Sequence, residues 1–123
     1  MAIGVSDVTP DTGIAISRTW FAFAPDGSTV DVTLSVGIPY LRPHGEWAAV
    51  LSLGELEPAW SMPICGVDGW QAVHLAMLLA KRRIEAFEAA GWRFFWTRGG
   101  DAATAAHLGE FANTTIPPID GLA

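Results

Sequence analysis

Between residues 29 and 40 the chain reads TVDVTLSVGIPY, and this run limits the possible folds more than any other. Val30, Val32, Leu34, Val36, Ile38 and Tyr40 alternate with Thr29, Asp31, Thr33, Ser35 and Gly37. A period of two marks a β-strand with one dry face and one wet face. Such a strand needs partner strands beside it and a second layer over its dry side.

The flanking sequence supplies both. GIAISRTWFAF (13–23) is rich in β-formers, and APDGS (24–28) joins it to the alternating run. Proline presets φ and glycine accepts positive φ, so this junction predicts a hairpin turn. The alternation falters at Arg18, which predicts an edge position or a bulge. After the turn residues RPHG (42–45), EWAAVLSL (46–53) reads as a third, more buried strand. Residues 54–66, with Pro58 and Pro63, read as a connection.

Asp68 stands three residues before Gln71, ahead of a periodic apolar run, which is a capping-box pattern. It predicts a helix from Gly69 to about Ala90, with Gly91 as its stop. Trp70, Val73, Met77, Ala80, Ile84 and Phe87 fall on the spacing of one buried stripe. WRFFW (92–96) predicts a fourth strand, returning parallel to the first and third. Asp101 would cap a short helix over 102–108, followed by an extended tail with Pro117 and Pro118.

The predicted fold class is therefore α+β. It has a three-stranded antiparallel meander plus a fourth strand, with one long helix packed on one face (β-β-β-α-β), then a short C-terminal helix and an extended tail. The expected organisation is an N-terminal tail (1–12), a single domain (13–100) and the short helix with its tail (101–123).

Composition narrows the functional classes. The 123 residues carry a net charge of −6, which argues against a nucleic-acid backbone as partner, since that needs a basic face. One cysteine excludes an internal disulfide. The first residues lack a basic start and an apolar stretch, so no signal peptide is expected, and no run is long enough to span a membrane. The expected setting is the cytoplasm. Half of the residues are apolar and only 16% are charged, which predicts apolar surface left over for a homodimer or another protein.

No catalytic motif, cofactor motif or metal-ligand spacing is present. Asp68 is explained as an N-cap. Cys65, just before the helix, would form a nucleophilic pair with His74 only if the two met, and its apolar flanks predict a buried, inert thiol. TRGGD (97–101) lacks the spacing and lysine of a phosphate loop. Leu75 and Leu79 are expected opposite Met77, turned away from the sheet. Covering them would require residues 102–119, a second copy of the chain or another protein.

Around PICGVDGWQAVHLA (63–76) the chain resembles a group of small bacterial proteins of unknown function. They share a helix-start pattern, P-[I/V]-x-G-x-D-x-x-Q-A-x-x-L-A, after a three-stranded β region. The resemblance implies the β-β-β-α-β layout and no catalytic residue. By analogy, it also admits an immunity-like role.

Two functions follow as expectations. The first is a non-catalytic protein-interaction module, either a homodimer or an immunity-like partner binder. The second is a small-ligand-binding protein or enzyme with a pocket between helix and sheet. The candidate binding residues are Cys65, Trp70, His74, Leu75, Leu79 and Arg98, with no catalytic residue, metal or cofactor assigned.

Overall fold

A computed structural model of the chain describes residues 13–109. It is an α+β structure in which one long helix lies on an antiparallel sheet. The alternating run forms strand β2 (Thr29–Gly37), paired antiparallel with β1 (Ile14–Phe23). In the hairpin between them, Gly27 takes φ +89° and Asp26 Oδ1 accepts from Ser28 Oγ at 2.7 Å and Ser28 N at 2.9 Å. These bonds, the hydroxyl's first, hold the Asp26 carboxyl below its ordinary value of 3.8. Of the two readings of Arg18, the bulge lies instead between Ile14 and Ile16, while the edge position holds: Arg18 pairs with Leu34 of β2, and among the described residues its other side has no strand, since pairing there begins at Phe21.

β2 ends at Gly37, because Pro39 has no N–H to donate to a ladder. The chain resumes as β3 (Tyr40–Leu41), and both β2 and β3 pair with β4 (Trp47–Ser52). Residues 61–66 are not part of a connection, as the sequence implied. They form β5 (Ser61–Gly66), in register with β4 from Trp47↔Gly66 to Ser52↔Ser61. Pro63 is tolerated there because, among the described strands, β5 pairs with β4 alone.

That extra strand reverses the direction of everything after it. β6 (Arg93–Phe95) runs antiparallel to β1, not parallel as expected. The predicted short helix also differs: Ala102–Ala103 form β7 against β6, and a 3-10 turn follows over Ala105–Leu108. Thr104, not Asp101, caps this turn, and its N–H donates to His107 Nδ1 at 3.0 Å. Ala103 and Ala105 are buried, so core packing rather than helix propensity sets this segment. The strands run β3-β4-β2-β1-β6-β7, with β5 on the other edge of β4.

The helix α1 (Gly69–Ala89) starts as the sequence implied. Asp68 Oδ1 accepts from Gln71 N at 2.8 Å, and Gln71 Oε1 accepts from Val67 N at 2.7 Å, one residue earlier than the usual box. The helix ends at Ala90, with Gly91 at φ +103°. Its buried line is Ala72, Ala76, Ala80 and Ile84. Small side chains at four-residue spacing let the helix sit close to β4 and β5.

Two apolar groups fill the space between the layers. One gathers Trp20, Val32, Leu34, Leu53, Ile84 and Phe94, and the other gathers Val36, Ala49, Leu51 and the three helix alanines. Arg83 binds Glu57 through Nε at 3.2 Å and lies 4.3 Å from the Trp60 ring, tying the helix to the loop after β4.

Candidate interaction surface

The alanine line fixes where every other helical side chain points. Each residue turns the helix by about 100°. Trp70, His74 and Leu78 therefore stand roughly 200° around from Ala72, Ala76 and Ala80, away from the sheet. Trp70 is 86% exposed and Leu78 39% exposed, and His74 is also exposed. Trp70 was expected in the buried stripe and as the anchor of the helix on the sheet. It does neither, because the Ala72–Ala76–Ala80 line, not the larger residues, faces the strands.

Leu75 and Leu79 differ from expectation in the opposite sense. They sit about 100° from the alanine line, on the flank opposite Val73 and Met77, so both leucines are half-buried. Leu79 packs against Ala49, Leu51 and their neighbours. Of the segment expected to cover them (102–119), residues 110–119 lie outside the described part.

More apolar surface gathers where the helix begins. Leu41 pairs with Trp47, and Trp47 with Gly66, so one row crosses three strands at that end of the sheet. Gly69 sits against Pro39 and Trp47; a Cβ there would lie 3.1 Å from Pro39 Cβ. Leu41, Val67 and Trp70 are all exposed around this point, Val67 at 78%. Trp70 and His74 are thus the two candidates that the structure places on one surface, joined by Val67 and Leu78.

Cys65 and Arg98 lie elsewhere. Ile64 packs toward the helix, so Cys65, the next residue of β5, points to the opposite face of the sheet. The thiol is exposed rather than buried, and Arg42 Nη1 donates to it at 3.5 Å. His74 is on the helix and makes no hydrogen bond with Cys65. Arg98 is also exposed, with its guanidinium 4.3 Å from the Phe21 ring. Phe21 alternates with Trp20 and Ala22, which face the core, so this contact is likewise on the side without the helix.

A cleft does open between helix and sheet, about 290 Å³ in volume. Its walls include Ile16, Arg18, Leu34, Met77, Ala80 and Leu108. None of the six candidate residues lines it. Sequence reasoning missed Arg18 as a wall residue, although its break in the β1 alternation was the available signal. Among the described residues no group of three or more histidine, cysteine or acidic side chains is placed to hold a metal, and no helix is long and apolar enough to cross a membrane. No family model, no curated protein and no solved structure matches this chain.

Proposed function

We propose that this chain is a non-catalytic protein-interaction module of the cytoplasm, docking a partner through the outward face of α1 at its N-terminal half. The observation that carries the reading is Trp70, a tryptophan 86% exposed on a well-capped helix. Val67, His74 and Leu78 extend it into one surface, rimmed by Leu41. Tryptophan is among the residue types most enriched at binding hot spots, and side chains repeating every three or four residues form the face by which a helix meets a groove or a second helix. The occupant to test first is a second copy, since a two-fold axis would set Trp70 and Leu78 against their own copies. An immunity-like role, with a heterologous partner, is the other form of the proposal. Kinship with the small bacterial proteins sharing the Pro63–Ala76 pattern belongs to the same proposal.

Sedimentation velocity over a concentration series tests it. The expected result is a dimer for the wild type and a monomer for Trp70→Glu, with unchanged thermal stability, because Trp70 buries little. A wild type that stays monomeric throughout refutes self-association and leaves the heterologous form. A dimer that survives Trp70→Glu refutes the site.

A further inference from the structure

The helix–sheet cleft combines apolar walls with a cation that has no carboxylate partner among the described residues. Ile16, Leu34, Met77, Ala80 and Leu108 supply the walls, and Ile16 at its opening is exposed. Arg18 stands among them. Its Nη1 donates to the His107 carbonyl at 3.0 Å, and its guanidinium lies 4.9 Å from the Trp96 ring and 5.9 Å from the Trp20 ring. His107 is itself held edge-on to Trp96, with ring centroids 5.3 Å apart. The two ion pairs among the described residues, Lys81–Glu85 and Arg83–Glu57, do not involve Arg18. A guanidinium has five N–H donors, and among the described residues one of these is engaged here, by the His107 carbonyl. The chain as a whole is acidic, so an arginine held by aromatic rings and a carbonyl, beside an apolar cleft, departs from the overall charge pattern.

We propose that this cleft binds an amphipathic monocarboxylate. The aliphatic chain would lie between Ile16, Leu34, Met77 and Leu108, and the carboxylate would accept the free N–H groups of Arg18. Arginine meets a carboxylate with two parallel hydrogen bonds, which orients the ligand as well as holding it. The volume sets the size. It is roughly twice that of a dry apolar cavity that admits benzene, and just under the usual range of ligand pockets, so an acyl chain of about eight to ten carbons fits. This site is separate from the helix face of Trp70 and stands independently of the interaction reading.

Titration of the full chain with sodium decanoate, followed by methyl and amide NMR, tests the assignment, with 1-decanol as the uncharged probe. The expected result is saturable shifts at Ile16, Leu34, Met77 and Leu108. Binding should weaken at least tenfold for decanol and at least tenfold in Arg18→Met, which keeps a stem over Trp96 without the charge. Arg18→Lys should bind more weakly than the wild type and more tightly than Arg18→Met, since it keeps the charge without the planar fork. Met77→Trp, which fills the cleft from the helix side and leaves Arg18 in the chain, should abolish it, and the undisturbed remainder of each spectrum reports folding. The proposal is overturned if no cleft methyl moves, if decanol binds as tightly as decanoate, or if Arg18→Met or Met77→Trp binds like the wild type. It is equally overturned if, in the ligand-free chain, Phe111 or Ile116 shows through-space contacts to Met77, which would make the cleft's occupant the chain itself.

Discussion

Replacing Gly66 with alanine should destabilise this protein more than any other single-methyl addition near the helix start. Gly66 ends β5, and its backbone lies under the first turn of α1. An added Cβ would come within 2.6 Å of Ala72 N, 3.0 Å of the Gln71 carbonyl carbon and 3.0 Å of Gln71 Cβ. Two of these three atoms are backbone, so no rotamer change relieves the contact. The helix start must move outward. That displaces Gln71, whose N–H and side chain make both bonds of the cap, to Asp68 and from Val67. Losing the cap costs about 1 kcal/mol. Opening the close approach of Ala72 to the sheet adds about 1–3 kcal/mol, the usual cost of overpacking. The sum is roughly 2–4 kcal/mol, or about 8–16 °C in Tm at ~4 °C per kcal/mol for a chain of this size. Asp68→Ala is the reference, since it removes the cap bond without the clash and should lose only about 1 kcal/mol. Urea denaturation of the three proteins measures the differences. A Gly66→Ala protein within 0.5 kcal/mol of Asp68→Ala would refute the reasoning, because the clash would then cost nothing beyond the cap.

Other outcomes follow from the same structure. Ile84→Ala, at a fully buried position in the cluster that holds Trp20 and Phe94, should cost about 2–5 kcal/mol by denaturant unfolding, and a loss below about 1 kcal/mol would mean that the site collapses freely. Cys65 should react with a disulfide reagent in the native state without prior unfolding; protection that is lost only in denaturant would contradict its exposure. Asp26 stabilises the β1–β2 hairpin in its ionised form, since its folded pKa lies below the unfolded one. That contribution is complete above the ordinary carboxylate value of 3.8 and is lost as pH falls through the lower folded value. Asp26→Asn should therefore flatten the acid limb of the stability profile, and an unchanged limb would show that the Ser28 bonds contribute nothing there.

How far the sequence was legible depends on what each residue signals alone. The β1–β2 hairpin was readable because Pro25-Asp26-Gly27 and the Val30–Val36 alternation are local signals. The helix start was readable because Asp68 and Gln71 are a local pair. β5 was not, because Pro63 and Gly66 are breakers in isolation; only an edge position, which is a tertiary fact, makes them acceptable. That one omission inverted the expected direction of β6. The helix face was misread for a related reason. Large residues at three- and four-residue spacing suggested Trp70 as an anchor, but close packing on β4 and β5 selects the smallest residues, Ala72, Ala76 and Ala80. The same spacing rule applied to Trp70, His74 and Leu78 would have marked them as one face. The cleft was illegible, since Arg18, Met77 and Leu108 come from three distant segments.

The pairing of β1 with β6 has a consequence for biosynthesis. Strand β1 leaves the ribosome first and finds β2 within one tight turn, yet its other neighbour is encoded some seventy residues later. Trp20 meets Phe94 and Trp96, each with ring centroids 5.7 Å away, only when that late segment has emerged. Until then the nascent hairpin holds a bare indole with nothing to close over it. Contacts of such long sequence separation slow folding, because loop closure precedes any gain. The domain is therefore expected to complete itself only once the segment around Phe94 and Trp96 has emerged, and chains stopped before residue 96 should be substrates for chaperones and proteases instead of partly useful fragments.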